Sequence, residues 1–251
     1  MSCRLLGLPW LVLLTVSAAA AGGSDHVLFS DILSEHVREG LVDYQALGGD
    51  ERLDAYLDLL GRTDPKSITD DRERLAYWIN AYNAFTLRLV IVHMPVESIR
   101  EISVDGNGPW DIPFIEIAGR LYTLNQIEHE IIRKEFREPR IHMALVCAAL
   151  GCPPLRSEAY RGSDLEGQLE DNTRRFMADS TKNRYDPSTG TLELSEIFSW
   201  FGDDFRRTHG SVERFARQYY PVGEGRELTL RFLPYDWSLN ARFADPGGAT
   251  R

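Results

Sequence analysis

The chain is poor in cysteine and has no excess of basic residues. It has 3 cysteines among 251 residues, and its 38 acidic residues against 28 lysines and arginines give a formal net charge of −10. An acidic chain without a lysine and arginine cluster is a poor match for nucleic acid, so no nucleic-acid partner is expected. The sequence also lacks a glycine-rich phosphate loop, a Gly-x-Ser-x-Gly elbow, a His-Glu-x-x-His motif and EF-hand spacing. We therefore predict no cofactor and no metal.

Long apolar runs are also scarce, and the one at the N-terminus is short. A basic start at residues 1–4 is followed by an apolar run at 5–16 and by small residues at 17–23. This order is typical of a cleavable secretory signal, and the run is too short for a comfortable bilayer span. We predict a signal peptide over residues 1–22, cleaved near Ala21, and hence a periplasmic or secreted protein. An uncleaved membrane anchor is the alternative.

Cleavage would leave a chain with two cysteines. It removes Cys3 and keeps Cys147 and Cys152. Residues 23–243 have a suitable length for one globular domain, and residues 244–251 are expected to form a disordered tail. No later segment approaches the length of a membrane span, so no stable span is expected after signal cleavage.

Helical patterns outnumber strand patterns, which predicts an α+β fold: a helix-rich single domain around a small central sheet. Capping-box spacing between Thr123 and Gln126, and between Ser163 and Glu166, marks two of the helix starts. The predicted elements are helices at residues 25–40, 51–61, 71–93, 123–136, 163–177, 195–207 and 211–219, with strands at 141–146, in the centre of the sheet, and 228–233.

Two asparagines lie within the longest helical pattern, residues 71–93. Asn80 and Asn83 fall inside a broad stripe of large apolar side chains, which predicts that both are buried. A buried amide needs partners for up to four hydrogen bonds. The two side chains are therefore expected either to join a hydrogen-bond network or to line a cleft as binding residues.

The most concentrated group of reactive residue types lies in residues 127–155. This segment holds Glu128, His129, His142 and both cysteines of the mature chain. Cysteine catalysis needs a thiolate, a base that generates it and often a third group that orients the base. We predict His142 as the base, Glu128 as its orienting group and His129 as a binding residue. The structural alternatives are a hydrogen-bonded core histidine at 142 and a solvated first-turn acid at 128.

The two cysteines compete for the role of nucleophile. If residues 141–146 form a straight strand, His142 and Cys147 point to opposite faces. A turn could then return Cys152 to His142, and Pro153 would open a helical turn with Cys152 at its N-cap, where backbone N–H groups lower the pKa of a thiol. If the strand ends early, Cys147 begins the helical turn instead and becomes the nucleophile. The residues favour Cys152 slightly.

Two other interpretations use the same residues. Cys147 and Cys152 could form a structural disulfide in an oxidising compartment, which suits a non-catalytic binding or scaffold module with an aromatic groove for a partner. A zinc site built from both cysteines, His129 and His142 has suitable ligand types but no recognised spacing. The other histidines and three aspartates are expected to be packing, surface or solvated residues: His26, His36, His93, His209, Asp203, Asp204 and Asp236.

Five sequence blocks resemble a family that is named as a domain of unknown function, DUF547. The blocks are YWINAYNAFTLRLV (77–90), LNQIEHEIIR (124–133), RIHMALVCAALGCPPLRSEAY (140–160), FSWFGDDF (198–205) and FLPYDWSLN (232–240). They appear in order, span most of the mature chain, and their joint occurrence is specific. The chain therefore resembles a bacterial exported member of the family. The resemblance implies no activity, because the family's name records that none was assigned.

Plant members of the family bear on the choice of nucleophile. They carry the domain after a leucine-zipper segment, which this chain lacks. They keep a cysteine at the position that matches Cys147 and often have serine at the position that matches Cys152, which implies the more general role for Cys147. The order of His142 before the cysteines also resembles circularly permuted papain-like hydrolases, and this likeness implies a papain-like or transglutaminase-like fold.

The combined expectation is an exported thiol-dependent hydrolase or acyl transferase of the bacterial envelope. It would act on a peptide, amide or thioester bond of a peptide-like or small-molecule substrate. The non-catalytic module and the zinc site remain the alternatives.

Overall fold

The computed structural model describes residues 26–223 and 225–242. The predicted signal peptide, residues 1–22, and the predicted tail, residues 244–251, lie outside the described residues. Within them, helices outnumber strands and the sheets are small, which confirms the predicted α+β fold. None of the described helices is both long and apolar enough to span a membrane.

Nine α-helices account for most of the regular structure in the described part of the chain. They are α1 Val27–His36, α2 Tyr44–Leu47, α3 Arg52–Arg62, α4 Asp71–Val92, α5 Arg133–Glu135, α6 Leu165–Ala178, α7 Ile197–Trp200, α8 Gly202–His209 and α9 Val212–Ala216. The longest, α4, is buried over most of its surface, as its broad apolar stripe predicts. The Asp70 carboxylate fixes its first turn by accepting hydrogen bonds from the backbone N–H groups of Arg72 and Glu73.

Four shorter helical segments connect these helices within the described residues. They are the 3-10 turns Pro65–Ser67, Ile99–Glu101 and Pro139–Met143, and a π-helical segment, Gln126–Ile132. The capping box before the π-helical segment is confirmed. The backbone N–H of Thr123 donates to the Gln126 side chain at 3.0 Å, and the backbone N–H of Gln126 donates to Thr123 Oγ1 at 3.1 Å.

The second predicted capping box, at Ser163 and Glu166, is wrong. Helix α6 begins after Asp164, whose side chain makes no capping hydrogen bond. The Glu166 carboxylate instead accepts a hydrogen bond from the Arg140 guanidinium at 2.8 Å. An ion pair to a distant arginine has taken the place of the local bond that the spacing suggests.

The described strands form three separate small sheets. They are β1 Val37–Arg38 with β2 Leu41–Val42, β3 Ile115–Ile117 with β4 Arg120–Tyr122, and the set β5 Arg184–Asp186, β6 Thr191–Ser195 and β7 Thr229–Leu233. The first two sheets are antiparallel pairs. In the third, β6 pairs antiparallel with β5 and parallel with β7. Strand β7 confirms the predicted late strand.

Residues 141–146 do not form the predicted central strand. Proline at 139 opens the 3-10 turn Pro139–Met143, and the chain keeps turning because the backbone N–H of Leu145 donates to the Ile141 carbonyl at 2.9 Å. A short run of buried apolar residues suits a buried helical turn as well as a buried strand. Here proline at the first position favours the helical turn.

Two hydrophobic cores meet beside this turn. The first is built mainly on α1 to α4, and the second on α6 to α9 with β6. Met143 belongs to the second core, whereas its neighbours Ile141 and Ala144 belong to the first. Tyr235 packs against both cores. The segment that carries His142 therefore lies at the junction of the two cores.

Candidate active site

A cavity of about 200 Å³ lies at this junction and is lined by residues of both cores. We call it the junction pocket. Four of the predicted reactive residues line it: Glu128, His129, His142 and Cys147. The rest of the lining is largely aromatic and comprises Tyr82, Trp110, Asn125, Leu145, Pro153, Ile197, Trp200, Phe201, Tyr235 and Trp237. A wider groove of about 650 Å³, beside Arg74 and Glu135, has no cysteine or histidine in its lining.

The two cysteines face each other as free thiols at one wall of the pocket. Their sulfur atoms lie 2.7 Å apart, and no disulfide joins them. Cys147 lines the pocket, whereas Cys152 is only 2% exposed and lies behind it. The Tyr235 hydroxyl lies 3.2 Å from the Cys147 sulfur and 3.0 Å from the Cys152 sulfur. One hydroxyl is therefore within hydrogen-bond distance of both sulfur atoms.

The surroundings of the pair favour loss of a proton from Cys152 over loss from Cys147. Burial would raise the pKa of Cys152, but hydrogen bonds from Cys147, Tyr235 and the backbone lower it below its usual range. One of these donors is the backbone N–H of Cys147, 3.0 Å from the Cys152 sulfur. The hydrogen bond to Cys152, together with burial, raises the pKa of Cys147. Within the pair, deprotonation is therefore favoured at Cys152 and disfavoured at Cys147.

The predicted helical turn at Cys152 or Cys147 is wrong. Residues 147–152 form a non-helical loop that lies against the C-terminal segment. The backbone N–H of Gly151 donates to the Asp236 carbonyl at 2.8 Å, and a Cβ atom at Gly151 would lie 2.9 Å from the same backbone. The lowering of the Cys152 pKa thus arises from individual donors and not from a helix N-terminus.

His142 lines the junction pocket and is oriented by two contacts. Its Nε2 atom lies 2.8 Å from Asp204 Oδ2, and its ring stacks on Phe201 with centroids 4.0 Å apart. Because an ionised carboxylate only accepts hydrogen bonds, Nε2 carries the proton and Nδ1 is free to act as a base. Burial lowers the pKa of His142 to about 4. The imidazole is therefore neutral near pH 7.

Asp204 orients this histidine, and the prediction that it lies on a solvated face is wrong. Its side chain is buried and accepts hydrogen bonds from Arg133 Nε at 2.6 Å and Arg207 Nη2 at 2.9 Å, in addition to that from His142. Burial alone would raise the pKa of Asp204, but the hydrogen bonds from His142 and Arg133 lower it below its usual range. Asp204 is therefore a stable anion that fixes the tautomer of His142.

Glu128 is a buried acid rather than the solvated first-turn acid of the structural alternative. Burial raises its pKa to about 7, so it is close to half protonated at neutral pH. Its Oε1 atom lies 4.0 Å from Nδ1 of His142, beyond hydrogen-bond range. The predicted orienting role of Glu128 is therefore taken by Asp204. Glu128 instead presents a second proton-carrying group to the junction pocket.

The two asparagines join hydrogen-bond networks, which is one of the two arrangements expected from the sequence. Asn80 donates to the Tyr160 carbonyl at 2.8 Å and accepts from the Tyr160 backbone N–H at 2.9 Å. Asn83 donates to the Ala144 carbonyl and accepts from the backbone N–H of Val146, both at 2.9 Å. Neither side chain is part of the pocket lining. Asn83 instead fixes the backbone that leads into Cys147.

His129 lines the pocket, and its Nδ1 atom accepts a hydrogen bond from Arg133 Nη1 at 3.2 Å. Burial and the nearby Arg133 charge lower the pKa of His129. Among the described residues, the predicted zinc ligands His129, His142, Cys147 and Cys152 do not form a cluster with metal-ligand spacing.

Several residues that line the pocket or contact its reactive groups were not predicted from the sequence. Asp204 and Tyr235 contact the reactive groups directly, and three tryptophans, Trp110, Trp200 and Trp237, form much of the aromatic wall. The ring of Trp237 lies 4.6 Å from that of Tyr235 and 5.7 Å from that of Trp110, measured between centroids. The blocks FSWFGDDF and FLPYDWSLN, which carry four of these five residues, were the available signal.

Comparison with known families assigns the chain. The family model described as "Protein of unknown function, DUF547" matches residues 65–177, which supports assignment of the protein to this family. The matched segment contains α4, Glu128, His142 and both described cysteines. Asp204 lies beyond it. A search of curated proteins and a search of solved structures found no match.

Proposed function

We propose that this protein is a thiol-dependent hydrolase or acyl transferase in which Cys147 is the nucleophile. The observation that carries the proposal is the shared lining of the junction pocket, where a thiol, a neutral histidine and a protonatable acid face one cavity. Cys147 is favoured over Cys152 because it lines this cavity, whereas Cys152 is buried behind it. Reaction at Cys147 needs no rearrangement of the loop.

Acylation begins at the Cys147 sulfur. In the form of the pair in which Cys152 is deprotonated, the Cys147 proton moves to the Cys152 sulfur, 2.7 Å away, as the Cys147 sulfur attacks the substrate carbonyl. The protonated Glu128 carboxyl then gives its proton to the leaving group as the carbonyl carbon releases it. The products of this step are an acyl thioester on Cys147, a Cys152 thiol and a Glu128 carboxylate.

Deacylation uses the histidine. Nδ1 of His142 takes a proton from water or from an acceptor nucleophile as the oxygen or nitrogen attacks the thioester. The Cys147 sulfur leaves and regains its proton from Cys152, and the proton on His142 passes to the Glu128 carboxylate. All groups return to their initial states, and the carboxylic acid or the transferred acyl product is released.

The two proton carriers set the expected pH range. Base catalysis is lost as the pH falls through about 4, because His142 becomes protonated. Acid catalysis is lost as the pH rises through about 7, because Glu128 loses its proton. We expect a bell-shaped dependence of kcat/KM between these limits.

The substrate is proposed to carry a peptide, amide or thioester bond next to an apolar or aromatic acyl group. The aromatic lining supports this choice, because it buries apolar surface and leaves few polar groups to satisfy. The cavity of about 200 Å³ suits a small molecule or a single side chain of a peptide.

The test is a set of chromogenic acyl substrates, comprising a thioester, an activated ester and a peptide anilide. Cys147→Ser is expected to abolish turnover, and His142→Gln is expected to reduce it strongly. His209→Gln is the matched control, since His209 is outside the pocket lining. Turnover that survives in Cys147→Ser would contradict the thiol mechanism.

Export is a separate proposal that rests on the order of residues at the N-terminus. We propose that the protein is made with a cleavable signal and acts in the periplasm or outside the cell. The intact mass of the protein recovered from the periplasm of an expression host checks it. We expect a mass that matches a chain beginning near residue 22. An uncleaved chain recovered in the membrane fraction would support a membrane anchor.

A further inference from the structure

We propose that the Cys147–Cys152 pair is also a reversible redox centre that exchanges with low-molecular-weight disulfides entering the junction pocket. The two sulfur atoms already lie 2.7 Å apart, and a disulfide bond requires about 2.05 Å. Closing this gap needs a movement of well under an ångström. The inference concerns the same pocket but stands whether or not the proposed acyl chemistry occurs.

The two thiols have different access, which gives the exchange an order. Cys147 lines the pocket, so an incoming disulfide meets this sulfur first. Cys152 is 2% exposed and lies against Cys147. Its sulfur can therefore react only with a mixed disulfide that has already formed on Cys147. This is the arrangement of an attacking and a resolving thiol.

Two hydrogen-bond donors near the Cys152 sulfur favour its deprotonated form. The backbone N–H of Cys147 and the Tyr235 hydroxyl each lie 3.0 Å from its sulfur. The Lys182 ammonium donates to the Cys152 carbonyl at 3.0 Å and so helps to hold the backbone of the loop. A buried thiolate supported in this way reacts within the protein and is shielded from the solvent.

The backbone of the loop is held for this reaction. Ala148 has a φ of 59°, in the left-handed region that residues with a side chain seldom adopt. Its carbonyl accepts a hydrogen bond from the Asn240 backbone N–H at 3.1 Å, and Ala149 forms a β-bridge with Leu239. The strained turn between the two cysteines is therefore fixed by the C-terminal segment, which keeps the sulfur atoms together.

The exchange balances in two steps. In the form of the pair in which Cys152 is deprotonated, the Cys147 proton passes to the Cys152 sulfur as the Cys147 sulfur attacks the disulfide R–S–S–R′ and releases R′–S⁻. Cys152 then loses its proton to R–S as its sulfur attacks the Cys147 sulfur of the mixed disulfide. The products are the Cys147–Cys152 disulfide, R–SH and R′–S⁻, so two electrons have moved from the protein to the small disulfide.

The experiment uses the full, pre-reduced chain, 2-hydroxyethyl disulfide as the probe, and mass spectrometry that maps each cysteine. In the wild type we expect an internal disulfide with no lasting adduct. In Cys152→Ser we expect a stable mixed disulfide on Cys147, because the resolving thiol is missing. In Cys147→Ser we expect no adduct, because Cys152 is buried. A lasting adduct in the wild type, or first modification at Cys152, would overturn the inference.

A third variant removes the hydroxyl that contacts both sulfur atoms. Tyr235→Phe is expected to slow internal disulfide formation about tenfold at pH 7 and to move its pH dependence to higher pH. An unchanged rate and pH dependence would overturn the role given to the pair's surroundings. The wild-type result does not depend on any variant. Misfolding of a mutant therefore cannot explain away a negative result with the wild-type protein.

The two proposals fail separately. Thiol–disulfide exchange without turnover of any acyl substrate would support the redox proposal and contradict the hydrolase proposal. Turnover by a wild-type protein that never forms the internal disulfide would support the hydrolase proposal and contradict the redox proposal.

Discussion

The two sides of the junction pocket stabilise a buried negative charge in different ways. On the thiol side, neutral donors surround the Cys152 sulfur: a backbone N–H and the Tyr235 hydroxyl. On the acid–base side, two arginines and a histidine surround Asp204. Neutral donors leave the thiolate able to accept a proton, whereas the paired arginines make Asp204 permanently anionic. The thiol side can therefore exchange protons, whereas Asp204 keeps a fixed charge and orients His142.

The variant Asp204→Asn tests most directly whether the two sides of the pocket act independently. An amide at this position can favour the wrong tautomer of His142, so kcat/KM is expected to fall by about 10³–10⁴-fold. The rate at which iodoacetamide alkylates the thiols should remain unchanged, because the thiol side has its own donors. Asp203→Asn is the control, since that neighbouring carboxylate is largely exposed. Equal losses in turnover and thiol alkylation would mean that the two sides are not independent.

Glu128→Gln tests the group between the two sides. Because the folded-state pKa of Glu128 is about 7 against an ordinary 4.5, its contribution to stability is full below about pH 4.5 and is lost as the pH rises through about 7. The shift corresponds to about 3 kcal/mol in the free energy of unfolding at high pH. Denaturant titrations between pH 4.5 and 8 should show this fall in the wild type and not in the glutamine variant. The exposed neighbour Glu130, changed to glutamine, should leave the fall in place.

Replacing the two buried asparagines by alanine separates stability from thiol geometry. Each change leaves a backbone N–H and a carbonyl without their partner, so Asn80→Ala and Asn83→Ala are both expected to cost about 2 kcal/mol. Only Asn83→Ala should also alter the alkylation of Cys147, since Asn83 fixes the backbone one residue before it. Thermal unfolding and alkylation measured on the same samples decide this. Identical effects of both variants on alkylation would contradict a local role for Asn83.

The smallest expected effect concerns the pocket rim. Trp200 is 46% exposed and contacts the rings of Tyr235 and Trp237. Trp200→Ala is expected to raise KM about threefold to tenfold and to leave kcat nearly unchanged, because it removes a binding surface. Phe232→Ala, at an exposed position outside the pocket lining, is the matched control. A fall in kcat without a change in KM would place Trp200 in the chemistry instead.

The sequence predicted the parts of this site that depend on local order. Glu128, His142 and the cysteines fall in one short segment, and their grouping survives because one turn and one loop carry most of them. The helix starts at Asp71 and near Gln126 follow from capping residues and apolar spacing. Such signals act within a few residues, so a linear pattern contains them.

Long-range partners were out of reach of the same arguments. Asp204 lies 62 positions from His142, and Tyr235 lies 88 positions from Cys147. No spacing rule connects such residues, and Asp204 in isolation resembles any acid on an exposed helix. The error at residues 141–146 has another cause, because a short buried apolar run has no periodicity to distinguish a strand from a helical turn.

The tryptophans of the pocket have a practical consequence. Three of the four tryptophans in the described residues line the junction pocket, namely Trp110, Trp200 and Trp237, and Trp78 faces the wider groove. Intrinsic fluorescence will therefore report mainly on this one cavity. Any small molecule that enters the cavity should change the emission before a single bond is broken. The protein thus contains its own optical probe for ligand screening, with no labelled substrate and no assumption about the reaction.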